Sequence, residues 1–111
     1  MTEQPSIDSP ASLADLVEYQ DGAIVSRALV KDKAGTVTVF SFAEGEGLSE
    51  HETPYDALLS VLDGRASVGI GGTAHTVSEG EIVRLPANVP HSVQAEQRFK
   101  MLLIMIRERE E

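Results

Sequence analysis

Only three of the 111 residues are histidines, His51, His75 and His91, and there is no cysteine. Disulfides, thiolate metal sites and cysteine nucleophiles are therefore excluded. Imidazole remains the most versatile group, able to give a lone pair to a metal, accept a hydrogen bond or carry a proton. His51 and His91 each lie in a stretch opened by glycine: Gly45 to Gly64, GEGLSEHETPYDALLSVLDG, and Gly80 to His91, GEIVRLPANVPH. Tyr55 and Asp56 follow His51 closely. Asp56 could serve as a general base only with a raised pKa and a substrate in reach, so a rim or loop role is the simpler expectation. Ser, His and Asp occur without the G-x-S-x-G pattern that presents a hydrolase nucleophile. Gly71-Gly72 and Gly45-Glu46-Gly47 lack the strand–loop–helix setting of a phosphate loop and read as turns.

The elements that must hold these residues are strands. Ala23 to Val30 and Thr36 to Phe42 are extended runs joined by the turn Asp32-Lys33-Ala34-Gly35. Both parities of Thr36 to Phe42 carry bulk, which predicts cover on both faces. Further short runs cover 57–62, 66–70, 74–77, 81–85, 92–95 and 99–106, most of them closed by glycine or proline. Many short strands with almost no helix predict an all-β sandwich or barrel. His75 falls within the run 74–77 and reads as a hydrogen-bonded strand residue. Ahead of the strands, residues 11–17 can form a helical turn, with Ser12 as N-cap and Leu13, Leu16 and Val17 facing the body. Residues 1–10 are polar and read as a flexible arm, leaving 11–111 as a single domain. The closing run of Arg and Glu reads as a solvated end.

The two glycine-opened stretches resemble the paired motifs of the cupin superfamily, specifically its small single-domain members. Gly45, five residues, His51 and the closing Gly64 match the first motif, with Pro54 where these proteins often carry proline. Gly80, Pro86 and His91 match the spacing of the second. The resemblance runs over residues 36–106 and implies an antiparallel double-stranded β-helix, a jelly-roll barrel with its pocket at the mouth. Four positions depart from the family pattern. Thr53 stands for the second histidine, Ala57 for the glutamate, Asn88 for the glycine of Pro-x-Gly and Ala95 for the asparagine. Asn88 is a mild change, because asparagine tolerates the left-handed region.

By this resemblance the pocket comprises His51, Thr53, Tyr55, Ala57 and His91. His51 and His91 are the pair that could hold a divalent transition metal, with the Thr53 hydroxyl in support. Asp56 cannot stand in for the glutamate unless a bulge intervenes, since adjacent strand residues face opposite sides. The function expected is binding of a small molecule or a metal in the pocket. The alternative is a metal-dependent oxygenase or isomerase working with an incomplete ligand set, and the residues leave the choice between binder and enzyme open.

Composition narrows the partners. Eighteen acidic against nine basic residues give a net charge of −9, which repels phosphate backbones and argues against nucleic acid. The longest apolar run, Met101 to Ile106, is too short to span a bilayer. No signal peptide is visible, so a cytoplasmic location without membrane attachment is expected. Residues 99–106 are apolar on both parities, and Leu58 and Leu62 add to the surplus. Cover must come from the N-terminal segment or from a second copy, and the resemblance favours a homodimer.

Overall fold

Short runs of β-branched and apolar residues between glycine and proline turns build two antiparallel sheets in the computed structural model, which describes residues 7–107. A single 3-10 turn, Leu13–Leu16, precedes β1 (Ile24–Asp32), β2 (Gly35–Phe42), β3 (Gly47–His51), β4 (Asp56–Asp63), β5 (Arg65–Ile70), β6 (Thr73–Ser78), β7 (Ile82–Leu85), β8 (His91–Gln94) and β9 (Phe99–Ile106). One sheet runs β1-β2-β9-β4-β7 and the other β3-β8-β5-β6. Every neighbouring pair is antiparallel. Short connections of one to five residues carry the chain back and forth between the sheets, giving the expected jelly-roll barrel.

The interior forms where the inward faces of both sheets meet. Phe42, Leu59, Val61, Val68, Phe99 and Met101 are essentially inaccessible to water there. Phe42 and Phe99 are register partners on β2 and β9, with rings stacked at 4.6 Å and 11°. Such a pair contributes ~0.5–1.5 kcal/mol beyond its buried area. It fills one end of the barrel, and β9 runs from there to Met105 at the other end.

The outer face of the five-stranded sheet is covered on one side by the N-terminal segment. Leu16 and Val17 pack on Val39, Val25, Leu62 and Leu102. Polar contacts hold the segment in place: Ser41 Oγ donates to the Glu18 carbonyl at 2.7 Å, the Lys100 ammonium donates to the Ala14 carbonyl, and the Tyr19 hydroxyl donates to the Asp63 carboxylate. Arg98 lies over the Tyr19 ring at 4.4 Å. Burial and the Asp63 charge push the Tyr19 hydroxyl pKa well above its ordinary value, so it stays a donor at any physiological pH. The helical turn is shorter than expected. Ser12 occupies the N-cap position but makes no side-chain cap bond, and Leu13 is exposed rather than inward. Residues 7–10 are exposed, while positions 1–6 of the expected arm and 108–111 of the expected solvated end lie outside the described residues.

Beyond this cover the same outer face is left uncovered by the described residues. Val30, Ile82 and Ile106 are exposed large apolar residues, and Leu58 and Ile104 between them are half-buried. Leu58 pairs directly with Ile104, and Ile104 with Val37, which makes the patch continuous across four strands.

Gly64 shows how tightly the turns are constrained. Its φ is +75°, and a Cβ there would lie 2.7 Å from the Arg98 carbonyl oxygen. Gly64→Ala should lower the unfolding free energy by ~1–3 kcal/mol, read as a reduced urea midpoint at unchanged slope.

Candidate functional site

His51 and His91 meet at the open end of the barrel because β3 and β8 place them directly opposite each other. Their ring centroids are 4.4 Å apart, in an edge-on arrangement with 67° between planes. Between Leu48 and His51 the register of β3 slips. Leu48 pairs with Val93 and His51 with His91, three residues along β3 against two along β8. This bulge reverses the parity of β3, so Leu48 and His51 both face the interior. Without it His51 would point to solvent.

A cavity of about 50 Å³ opens beneath the two rings, room for one or two waters at ~30 Å³ each. Thr53 and Ala57 border it with the histidines. The remaining wall is apolar: Leu48 and Val93 from one sheet, and Leu59, Leu85, Leu103, Met101 and Met105 from the other. Tyr55, expected among the pocket residues, does not border it. Its N–H and carbonyl are taken up in a turn with the Thr53 hydroxyl, at 3.3 and 3.2 Å. His75 is exposed on edge strand β6, away from the cavity.

Asp56 has a structural task. It precedes Ala57 on β4, faces away from the cavity, and accepts a hydrogen bond from the Ala87 N–H at 2.8 Å. Next to it the Asn88 N–H donates to the Thr53 carbonyl at 2.7 Å. These two bonds join the Pro86–Asn88 turn to the Thr53–Asp56 loop and so hold the two histidine-bearing segments together. Asn88 takes φ +63° to do this, the left-handed conformation anticipated for the family's glycine.

The rings are oriented by backbone. His51 Nδ1 lies 2.9 Å from the Ser49 carbonyl and His91 Nδ1 3.3 Å from the Val89 carbonyl. A carbonyl only accepts, so in the neutral ring the proton resides on Nδ1 and the lone pair on Nε2. His91 is 8% exposed. Burial, and then the neighbouring His51, lower its pKa from the ordinary 6.5. Two acceptor nitrogens thus stand over an apolar cavity.

Family metal centres in this position imply three histidines and a glutamate. Here Thr53 and Ala57 replace two of the four donors, and Thr53 is already engaged with Tyr55. No group of three or more His, Cys, Asp or Glu side chains gathers anywhere among the described residues. The residues present do not fit the family's four-donor divalent centre.

A double-stranded β-helix with its histidines at the mouth defines the cupin class. The comparisons place the chain there: the profile of the Cupin domain family matches residues 38–107, and the protein belongs to that family. A cupin superfamily protein from Desulfitobacterium hafniense is 30% identical, with 96% of this chain and 97% of that one covered at a TM-score of 0.87. A conserved protein of unknown function from Streptococcus pyogenes is 29% identical at a TM-score of 0.90, covering 97% and 95%. A cupin 2 conserved barrel domain protein from Leptotrichia buccalis is 48% identical at a TM-score of 0.81. It aligns over 84% of this chain, which spans only 45% of that longer one. A salicylate 1,2-dioxygenase from Pseudoaminobacter salicylatoxidans, 18% identical, shares the fold alone. Among curated proteins none matches the sequence.

Two outcomes follow from the site's geometry. Asp56→Ala leaves the Ala87 N–H without its partner and should cost ~1–3 kcal/mol in chemical denaturation. Because the folded pKa of His91 is depressed, the unfolded chain binds more protons just below pH 6.5. Stability should be level above that pH and fall as pH drops toward the folded value. His91→Gln should flatten this part of the stability–pH curve.

Proposed function

We propose that the barrel mouth is a binding site for a small ligand, received by the Nε2 atoms of His51 and His91 against an apolar wall, and that the protein is a binder rather than a four-donor metalloenzyme. The observation that carries this reading is the juxtaposition of two oriented imidazoles with Ala57 and a bonded Thr53 where further metal ligands would have to be. The cavity suits a ligand of only a few heavy atoms, or a single ion. A cytoplasmic location fits a chain without cysteine.

NMR titration of the His51 and His91 ring C2–H signals tests the reading. Small alcohols, phenols and carboxylic acids from a fragment set should shift both signals together, and Ala57→Phe, which fills the cavity, should abolish the response. Signals that never move with any fragment, or with any metal ion, would sink it. The missing donors can also be supplied. Thr53→His with Ala57→Glu should create a centre that takes up zinc or iron at one equivalent by titration calorimetry, where the wild type takes neither tightly.

We also propose that two copies pair through the bare outer face of the five-stranded sheet. Its continuous run through Leu58, Ile104 and Ile106 is the kind of patch that isolated soluble domains rarely expose. A symmetric contact would bury it at ~25 cal/mol per Å² of apolar surface. Light scattering at micromolar concentration should give a dimer, and Ile104→Asp should give a monomer. A monomeric wild type would contradict the pairing.

A further inference from the structure

Two methionines line the cavity with the histidines. Met101 and Met105 lie on β9 with inward parity, in the sheet facing β3 and β8. Met105 is the direct register partner of Ala57. Paired Cβ atoms on adjacent antiparallel strands are ~4.5–5.5 Å apart. Met105 therefore projects from beside the position that, by family resemblance, held a carboxylate, and the small Ala57 side chain leaves it room. Met101 lies two inward positions deeper, beyond Leu103, and is fully buried. The cavity between the sheets holds only one or two water volumes, so the histidines and the methionines border the same small space from opposite sheets.

The donor set matters more than its number. A carboxylate beside imidazoles suits zinc and divalent iron or manganese. Replacing the carboxylate by thioether sulfur turns preference toward a soft, low-coordinate ion, and among biological metals thioether ligands select Cu(I). The apolar wall acts in the same direction, since it limits water and offers no hard oxygen donors to a divalent ion. Resting on the reading of the mouth as a binding site, we infer that its ligand is Cu(I), held by the Nε2 atoms of His51 and His91 and the Met105 sulfur. Met101 lies behind as a second sulfur.

The test uses the full chain and Cu(I) supplied as its coloured bicinchoninate complex. The wild type should bleach the complex with one copper per chain, and X-ray absorption of the loaded protein should show sulfur beside nitrogen in the first shell. Met105→Leu preserves volume and should fold normally. It should weaken Cu(I) about ten-fold or more while leaving Zn(II) affinity unchanged, because zinc gains little from a thioether. Met101→Leu serves as a second variant and should have a smaller effect. A wild type that leaves the complex coloured, a Met105→Leu protein that binds Cu(I) as tightly as the wild type, or a first shell without sulfur would each overturn the inference. If copper is refused while organic fragments still shift the histidine signals, the inference falls and the binding reading stands. If neither copper nor fragments bind, both fall.

Discussion

The stack of Phe42 on Phe99 is the contact on which the rest of the barrel depends. A sandwich of two short sheets has few inward positions, and these two rings fill one end of it. With that end plugged, the interior narrows from a packed core to a small cavity at the far end, where β9 carries Met105 in place of an aromatic residue. The site exists because the core is filled asymmetrically. Placing the large rings at the mouth would have left no cavity beneath the histidines.

Around that asymmetry the polar groups divide into those that build the site and those that face it. Asp56, Asn88 and the Thr53 hydroxyl are committed to backbone partners and tie the two motif loops together. His51 and His91 are the only imidazoles turned toward the cavity. Their Nδ1 atoms are spent on the carbonyls two residues upstream, Ser49 and Val89, which leaves one nitrogen on each ring for a visitor. The apolar residues around them restrict what that visitor can be.

Much of this was legible in the sequence, and what was not has physical causes. The glycine, proline and histidine spacings mark the turns, because only certain residues tolerate their φ angles, and the position of Asn88 follows from the same constraint. The run 99–106 reads directly as β9. Strand β3 was missed: of its five residues only Leu48 is apolar, and the bulge before His51 breaks the alternation by which a strand is recognised. Tyr55 belongs to the pocket by the resemblance, but the Thr53–Tyr55 turn keeps it out of the cavity wall. Met101 and Met105 read in sequence only as members of a run that is apolar on both parities. That they border the histidines depends on the two sheets facing each other, which no local pattern encodes. Likewise the apolar surplus on the outer face was visible, but not its division. Leu62 and Leu102 lie under the N-terminal segment, while Ile104 and Leu58 do not.

The position of β9 also bears on how the chain is made. It lies between β2 and β4 in the five-stranded sheet, yet it is the last of the barrel's described strands to be synthesised. Until then β2 and β4 have no strand between them, and the N-terminal segment lacks Leu102 and Lys100 to dock against. The barrel can therefore close only once β9 is available, through pairings between distant parts of the chain, which is the slow and aggregation-exposed route for a β-protein. Any truncation that removes β9 removes the common partner of β2 and β4, and a nascent chain stalled before residue 99 can pair the four-stranded sheet but cannot join the five-stranded one.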